Sequence, residues 1–499
     1  MISSLCWVPK GASKPVPVVA EPPSKEELDE MLISGFLDIS NDSDGDGDEE
    51  MEDRPSNDVD DINHALAAAD ALGQTSGSTN LGNSLQAVTD DLKELDMDHY
   101  DDEDDGVEIF SGKRGGTCYP SNELDPYLKD KDDDDDEEEE AEDMTIKPTD
   151  AVIACVCNED DVNYLKVSIY EEFDDGESNM YVHHDIILPA FPLCTAWLDF
   201  KPKTGDQGNF IAIGSMDPAI EIWDLDIMDE VQPFLVLGGV SEKKKKGKKK
   251  SVKYKENSHR DAVLGLAWNK ILRNLLASAS ADESVKIWDL AKEACALTLP
   301  HHTDKVQAVT WNQDKPEVLL SGSFDRSVVM MDMRSSSRTG WSVSADVESL
   351  AWDPHNSNFF VVSLEDGTVQ GFDIRVASSN ADSGAKPSFT LHAHDKAVCA
   401  VSYNPSAANL LATGSTDKMV KLWDLSNNQP SCVASLKAGA VFSLSFSEDN
   451  PSLLASGGSK GKLQVWDILS DPGVERKYKG LRNRNMNPPP QPPPPTATD

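Results

Sequence analysis

Histidine, serine or threonine, aspartate and tryptophan recur together at one spacing in this chain of 499 residues. The sets are His259, Ser278, Asp282 and Trp288; His394, Thr413, Asp417 and Trp423; and His302, Ser321 and Asp325, which are followed by Met331 in place of Trp. Ser, His and Asp are the residues of a hydrolase triad, in which His accepts the proton of the attacking hydroxyl and Asp orients the His. The first hypothesis that these residues raise is therefore a hydrolase.

A hydrolase needs one such site, whereas this chain repeats the set, and no G-x-S-x-G turn or oxyanion loop accompanies any copy. A buried indole N–H needs an acceptor and a buried carboxylate needs donors, so a hydrogen-bonded chain of His, Asp, Ser and Trp satisfies all four groups. We interpret the sets as structural networks and predict no catalytic residue. Where Met331 replaces Trp, the indole donor is lost, and we expect that unit of the fold to be looser.

The sets lie on a repeated β unit, which is clearest at residues 261–290. Apolar and β-branched residues there predict strands at Val263–Trp268, Leu275–Ser280 and Val285–Asp289. The last strand closes on an aromatic residue or a substitute followed by an acid, and in steps of 43, 41, 51 and 43 residues this position holds Trp288, Met331, Phe372, Trp423 and Trp466. The opening strand, V-x-x-[VL]-x-[WYF], recurs with the same steps.

A period of about 40 to 45 residues that ends in Trp-Asp is typical of a WD40 β-propeller, with four strands in each blade. Tyr170 and Trp223 stand where two earlier blades would close, which brings the number of blades to seven. We therefore predict an all-β fold, a seven-bladed WD40 β-propeller over residues 146–480.

The beginning of the chain resembles one more opening strand, with Ile2 and Trp7 at the matching spacing. The strands predicted between residues 152 and 188 lack an opening strand of their own. We infer that residues 2–9 close the first blade and so remove an exposed sheet edge. Residues 15–145 would then be a long disordered acidic insertion, and the Pro-rich residues 481–499 a disordered tail.

Negative charge is concentrated in the insertion. Residues 1–150 hold 44 Asp and Glu against 10 Lys and Arg, which is −34 of the total charge of −44. Such a segment could capture histones or ribosomal proteins, repel DNA or only keep the protein soluble. Ser40, Ser43 and Ser56 lie among the acids and are candidate sites for acidophilic kinases.

A block of positive charge lies in the loop at residues 242–256. Its core consists of Lys243, Lys244, Lys245, Lys246, Lys248, Lys249 and Lys250. We predict a solvated loop that forms no strand. It fits a nuclear-localisation segment, and it also fits a patch that contacts nucleic acid through its phosphates. A loop without a partner is the weaker alternative, because closely spaced lysines repel one another.

The sequence gives little support for a metal site or a membrane-spanning segment. The eight Cys include no C-x-x-C pair, and we interpret Cys155 and Cys157, which alternate along an apolar strand, as reduced core thiols. His183 and His184 are interpreted as strand surface, because no third ligand has a suitable spacing. No apolar run reaches membrane-spanning length and the N-terminus lacks a signal-peptide core, so we expect a soluble intracellular protein without metal or cofactor.

Several segments outside the WD40 consensus carry a closer resemblance. LDPYLKDKD at residues 124–132, IKPTD at 146–150 and YVHHDIILPAFPL at 181–193, with the Lys-rich loop and residues 261–290, resemble the periodic tryptophan protein 1 family of WD40 proteins. The resemblance covers most of residues 2–470. It implies a protein of the nucleus and nucleolus that acts in ribosome biogenesis and rRNA transcription, associates with chromatin and has no catalytic residues.

We therefore expect a non-enzymatic scaffold, monomeric within larger complexes, whose ring receives peptides of ribosome-assembly factors or histones while the Lys-rich loop contacts nucleic acid. The alternative is a substrate receptor of a cullin-RING ubiquitin ligase. Residues 331–334 (MDMR) and 372–375 (FDIR) approximate the WD-x-R motif that docks on the ligase adaptor, although neither contains Trp.

Overall fold

The computed structural model describes residues 1–20, 144–173, 177–241, 253–376, 386–427 and 429–481. These residues form seven antiparallel sheets that are the blades of a propeller, so the predicted seven-bladed WD40 fold is confirmed. The predicted acidic insertion and the predicted tail lie almost entirely outside the described residues. Within the described ranges, no helix is long and apolar enough to cross a membrane.

The strands of each blade are given from the centre of the ring outwards. Blade 1 comprises Ile2–Val8, Ala151–Glu159, Val162–Glu172 and Ser178–Leu188; blade 2 comprises Pro192–Phe200, Gln207–Ser215, Ala219–Asp224 and Leu235–Gly238. Blade 3 comprises Val263–Trp268, Leu275–Ser280, Val285–Asp289 and Ala294–Leu299; blade 4 comprises Val306–Trp311, Val318–Ser323, Ser327–Asp332 and Ser337–Ser342. Blade 5 comprises Val347–Asp353, Asn356–Leu364, Thr368–Asp373 and Phe389–His392; blade 6 comprises Ala400–Tyr403, Leu410–Gly414, Met419–Asp424 and Ser431–Lys437. Blade 7 comprises Val441–Phe446, Leu453–Gly458 and Gln464–Asp467.

The hairpin between the second and third strands is the same in blades 3 to 7. At one matched position the backbone is left-handed, with φ between 61° and 85°, at Glu283, Arg326, Gly367, Lys418 and Gly461. In blade 3 the carboxylate of Asp282 accepts the N–H of Ser284 at 3.1 Å and fixes this turn. The recurring Asp therefore shapes the hairpin as well as holding the His.

Both faces of each middle strand are covered, because each blade packs between two others. All six residues of Val318–Ser323 are buried, for example, so the strand is uniformly apolar or small rather than alternating. Between blades 1 and 2 the apolar layer contains Trp223, which is fully buried, together with Leu165 and Ile169. The core of the molecule is thus a set of layers between neighbouring blades.

Residues 2–9 provide the inner strand of the first blade, where Ile2–Val8 pairs with Ala151–Glu159. This strand also closes the ring against blade 7. The backbone N–H of Leu5 donates to Ser443 Oγ at 3.1 Å, and the indole N–H of Trp7 donates to the carbonyl of Ser445 at 2.9 Å.

Pairing with Ile2–Val8 covers the inner edge of Ala151–Glu159, so the inferred closure of blade 1 removes that exposed sheet edge. Ile2–Val8 lies at the centre of the ring and leaves the outer side of blade 7 unchanged. Blade 7 therefore has only three strands among the described residues, and Gln464–Asp467 forms its outer edge.

Three boundaries differ from the sequence prediction. Residues 15–20 belong to the propeller, because Val18–Val19 pairs in parallel with Ile227–Met228 beside blade 2. The basic loop is not a solvated loop to its end, because Tyr254 forms a β-bridge with Val240. After a 3-10 turn at Ile468–Ser470, the chain forms a short helix, Pro472–Lys477, capped by Asp471.

Candidate functional site

The predicted set in blade 3 forms one hydrogen-bonded network. His259 Nδ1 lies 2.9 Å from Asp282 Oδ2, and His259 Nε2 lies 2.7 Å from Ser278 Oγ. The same hydroxyl accepts the indole N–H of Trp288 at 2.9 Å. His259, on the segment before the inner strand, is thereby joined to the second and third strands and to the hairpin between them.

Blade 6 repeats this geometry with threonine as the hydroxyl. His394 lies 2.8 Å from both Asp417 Oδ2 and Thr413 Oγ1. The indole N–H of Trp423 donates to Thr413 Oγ1 at 2.9 Å. Two blades far apart in the sequence therefore contain the same four-residue network.

The protonation state of the network follows from its burial. Burial lowers the pKa of His259, and the neighbouring carboxylate of Asp282 opposes this only in part, so the ring is neutral at neutral pH. Burial by itself would raise the pKa of Asp282, but the hydrogen bonds and charge of His259 and the hydroxyl of Ser284 hold it well below its usual value. His259 thus donates from Nδ1 and accepts the Ser278 O–H at Nε2.

This network has the atom order of a hydrolase triad, with Nδ1 on the carboxylate and Nε2 on the hydroxyl. Ser278 and His259 are nevertheless 0% exposed, and the hydroxyl that would attack a substrate already accepts the N–H of Trp288. No substrate can reach Ser278 while the blade is closed. The arrangement holds the strands of the blade together.

Blade 4 contains a residue that the sequence reasoning missed. His302 contacts Asp325 Oδ2 and Ser321 Oγ, each at 2.9 Å, as in the other blades. Where the indole would be, His301 Nε2 lies 2.9 Å from Ser321 Oγ. Burial, then the neighbouring His302 and Arg338, lowers the pKa of His301 to about 4, so the ring is neutral and can donate from Nε2.

The indole donor is absent at Met331, as expected, but His301 Nε2 takes its place on Ser321 Oγ, and the looser packing of this blade stays a prediction. The signal for this was the pair of adjacent histidines at 301–302, of which only one has the matched offset.

Blades 2 and 5 stabilise their interiors differently. In blade 2 the indole N–H of Trp223 donates to Glu221 Oε2 at 3.1 Å, and burial raises the pKa of this carboxyl to about 7. In blade 5 the closing residue Phe372 stacks on Phe360 at 5.4 Å, and Trp341 meets Phe360 edge-on at 5.1 Å. An aromatic cluster therefore takes the place of the polar network in blade 5.

Blade 7 has lost most of the network. At the matched offsets, Lys437 and Lys460 stand in place of the His and the Asp, although Ser456 and Trp466 remain. Trp466 is only half-buried, whereas Trp288 is 2% exposed. Blade 7 is thus distinct both in its number of strands and in its interior.

A second recurring set, which sequence reasoning also missed, joins blades 3, 4 and 6 each to the following blade. The side-chain amides of Asn269, Asn312 and Asn404 donate to the carbonyls of Pro316, Ser357 and Pro451 at 2.8, 2.8 and 2.7 Å. Each Asn directly follows the aromatic residue that ends an inner strand. That constant position was the signal that could have identified them.

Two relatives cover most of the chain. An uncharacterised WD repeat-containing protein of Schizosaccharomyces pombe is 40% identical over 444 residues, which is 87% of this chain and 82% of the relative. Periodic tryptophan protein 1 of Saccharomyces cerevisiae is 32% identical over 496 residues, which is 87% of this chain and 81% of the relative. The chain belongs to the periodic tryptophan protein 1 family.

Other comparisons agree with this family and with the blades. The periodic tryptophan protein 1 homolog of Drosophila melanogaster is 31% identical over 294 residues, or 58% of this chain and 60% of the relative. The family model of the WD domain, G-beta repeat, matches residues 250–289, 293–332, 385–424 and 430–467. These stretches end with the third strands of blades 3, 4, 6 and 7. They point to a WD-repeat scaffold that binds proteins.

The histidine pair of blade 1 differs from its prediction. His184 is buried rather than on the strand surface, and its pKa is lowered to about 4 by burial and then by His183. Its Nδ1 lies 2.9 Å from His183 Nδ1, and His183 Nε2 lies 3.1 Å from the carbonyl of Met144. Over the described part of the chain, no group of three His, Cys, Asp or Glu side chains is arranged to hold a metal ion.

Cys155 and Cys157 of blade 1 are buried free thiols on one face of the strand Ala151–Glu159. Burial raises the pKa of Cys155 to about 12 and also raises that of Cys157. Both are therefore protonated at neutral pH.

The remaining predicted sites are only partly described. The lysines at 243–250 and the candidate phosphorylation sites Ser40, Ser43 and Ser56 lie outside the described residues.

The two arginines of the WD-x-R-like motifs are described, and they differ in their contacts. Arg375 forms hydrogen bonds of 3.0 and 2.6 Å with the two oxygens of Asp373, whereas Arg334 Nη2 lies 3.8 Å from Asp332 and its side chain is 77% exposed.

Proposed function

We propose that this protein is a non-enzymatic WD-repeat scaffold that acts in the nucleus and nucleolus, in ribosome biogenesis and rRNA transcription, and associates with chromatin. One observation supports the scaffold role most directly: among the described residues, the hydroxyls that complete the His and Asp networks, such as Ser278 at 0% exposure, are already hydrogen-bonded inside the blades. The nuclear role rests on the resemblance to the periodic tryptophan protein 1 family. The partners that fit it are ribosome-assembly factors and histones.

The ribosomal role is tested by depleting the protein and pulse-labelling rRNA. We expect precursor rRNA to accumulate, and the tagged full-length protein to sediment with pre-ribosomal particles in a sucrose gradient. Unchanged rRNA labelling, with the protein sedimenting only at the size of a free monomer, would contradict the proposal.

The Lys-rich loop is proposed as the nuclear-localisation segment and as a contact for nucleic acid. Replacing the lysines at 243–250 with Ser should shift a fluorescent fusion of the full chain from the nucleus to the cytoplasm. The control replaces lysines spread over the blades, Lys270, Lys305 and Lys418. A fusion that remains concentrated in nuclei after the loop is changed would refute the import role.

The acidic insertion is proposed to bind basic proteins through charge. Its attraction for core histones or ribosomal proteins should weaken steeply as salt rises, because exposed charges are screened. Phosphorylation of Ser40, Ser43 or Ser56 would add negative charge and strengthen this binding. Histone binding that is absent at low salt, or that does not change with salt, would rule this out.

A substrate receptor of a cullin-RING ubiquitin ligase is the second candidate, and the exposure of Arg334 favours it. If the protein docks on the ligase adaptor, affinity purification should recover the adaptor, and Arg334→Ala should abolish the recovery. Arg375→Ala is the matched control, because Arg375 is bound to Asp373 and less available. Recovery of pre-ribosomal particles or chromatin without the adaptor favours the scaffold.

A further inference from the structure

Blade 7 ends in an open sheet edge. Its last strand, Gln464–Asp467, pairs with Leu453–Gly458 on one side, and the described residues place no strand on its other side. In blade 6 the corresponding strand, Met419–Asp424, is covered by Ser431–Lys437. The outward N–H and C=O groups of such an edge can pair with another extended chain.

The described residues after this strand, 468–481, do not cover the edge. Pro472–Lys477 is a helix that lies toward blade 6, where Lys477 pairs with the buried carboxylate of Asp424. Residues 482–499 contain seven Pro, which lack the N–H that a strand donates, and begin with two Arg within three positions. Neither segment has the sequence of a fourth strand for this sheet.

The open edge lies beside an exposed apolar row on blade 1. Met180, Val182 and Ile187, on the outer strand Ser178–Leu188, are 39%, 51% and 64% exposed, and the exposed Asp185 lies between Val182 and Ile187 on the same face. Ile187 pairs with Tyr164, which packs against the same buried cluster as Leu463 and Val465 of blade 7, so the row is on the face toward blade 7.

A fourth strand on blade 7 would cover this row. The outer strands of blades 2 and 3 contact each other, and a strand added to blade 7 would meet the outer strand of blade 1 in the same way.

A cavity of about 230 Å³ lies between Met180 and Val182 of this row and the hairpin that precedes Gln464–Asp467. Blade 1 contributes Cys155, Met180 and Val182 to its lining, and the hairpin of blade 7 contributes Lys462 and Leu463. The lining is mostly apolar, so the cavity can receive an apolar side chain of a strand that pairs with Gln464–Asp467.

Positive charge lies beside the start of the strand Gln464–Asp467, although the whole chain has a charge of −44. Lys460 and Lys462 are exposed, and within the described ranges neither has an acidic partner at ion-pair distance. The carboxylate of Glu159 is already paired with Lys166 at 2.6 Å. An acidic residue in the bound chain would therefore find two available lysines.

We propose that the outer edge of blade 7 binds an extended segment of a partner protein as its fourth strand. The segment has alternating apolar residues that cover Met180 and Val182 and an acidic C-terminal end beside Lys460 and Lys462. The direction of the bound segment follows from the other blades. In them the C-terminal end of the fourth strand lies beside the start of the third strand, as Leu299 lies beside Val285 in blade 3. This surface is independent of the proposed nuclear role.

The test uses the full-length protein and a fluorescein-labelled synthetic peptide, Thr-Val-Thr-Val-Thr-Val-Asp-Glu, in a fluorescence-polarisation titration. Val182→Asp should weaken binding at least about tenfold, because it places a charge in the apolar row. Val236→Asp, at an exposed position on the complete blade 2, is the matched control and should bind as the wild type does. Thermal melting of each variant verifies that it is folded.

Charge exchange provides a second measurement that does not depend on the apolar row. The double variant Lys460→Glu, Lys462→Glu should bind the peptide that ends in Asp-Glu more weakly than the wild type does. It should bind a peptide that ends in Lys-Lys more tightly. Equal binding of the two peptides by the wild type, or binding that Val182→Asp leaves unchanged, would overturn the proposal.

Two other occupants of the edge give different results. If a segment of the same chain covers it, the wild type will bind neither peptide, and the proposal of a partner segment fails. If a second copy covers it, light scattering will show a dimer that Val182→Asp converts to a monomer, and the proposal fails as well.

Discussion

Blade 3 and blade 7 occupy equivalent places in one ring but are stabilised in different ways. Blade 3 has four strands and a complete buried network around Ser278, so its strands are joined to one another. Among the described residues, blade 7 has three strands, lysines in place of the His and the Asp, and a half-buried Trp466. Its inner strand also contacts the inner strand of blade 1, and Phe446 and Leu454 pack in one apolar cluster with Ile468 and Val474 of the C-terminal segment.

The difference shows that a repeat can lose its internal network where a neighbour replaces it. Gly457 of blade 7 illustrates the closeness of that neighbour, because a Cβ there would lie 2.6 Å from the Ile2 side chain. The terminal segments of the chain therefore substitute for the hydrogen bonds that blade 7 lacks. The outer edge of blade 7 is nevertheless left without a fourth strand among the described residues.

The largest expected effect comes from removing residues 2–9. This deletion takes away the inner strand of blade 1 and the contacts of Leu5 and Trp7 with blade 7, so two blades lose their packing together. Because Ile2 is 1% exposed and Leu5 6%, we expect a loss of several kcal/mol in the free energy of unfolding, measured by chemical denaturation. Deleting residues 488–499 is the control, and equal stability of the two deletions would show that the ring is closed in another way.

Most of the ring could be predicted from sequence, because the closing aromatic and the opening strand repeat with identical steps. The pattern found blades 1, 2 and 5, which the family model of the repeat does not match. The repeat period shows which residues occupy equivalent positions in different blades. It does not show which other residue supplies a hydrogen-bond donor or a strand that one blade lacks. His301 and the open edge of blade 7 therefore needed coordinates, since both depend on contacts outside the repeat.

Blades 3 and 7 offer a matched pair of substitutions at the same offset, Ser278→Ala and Ser456→Ala. Ser278→Ala leaves His259 and the indole of Trp288 without their common partner inside a closed blade, which should cost about 1 to 3 kcal/mol. Ser456→Ala should cost less, because no His stands opposite it in blade 7. Equal losses in denaturant melts of the two variants would mean that the network contributes nothing specific to blade 3.

Blade 2 extends the comparison to pH, because the indole of Trp223 is held by a carboxyl whose pKa is raised to about 7. The folded state binds this proton more tightly than the unfolded state, so the stability it provides is present at low pH and is lost as pH rises through 7. Glu221→Gln should therefore be more stable than the wild type at pH 8, by on the order of 1 to 2 kcal/mol. The difference should vanish near pH 4.5, and melts that show no dependence on pH would contradict this assignment.

The smallest expected effect concerns blade 4, where a histidine replaces the indole of blade 3. His301→Ala removes one of the two imidazoles on Ser321 and should cost about 1 kcal/mol, because His302 still satisfies the hydroxyl. If His301 replaces the missing indole, adding Met331→Trp to His301→Ala should recover most of that loss, whereas the same Trp beside an intact His301 should compete for the hydroxyl and gain little. A double-mutant cycle in denaturant melts measures this coupling. Strictly additive effects would mean that the two side chains do not share one role, and that blade 4 differs from blade 3 in more than the identity of its donor.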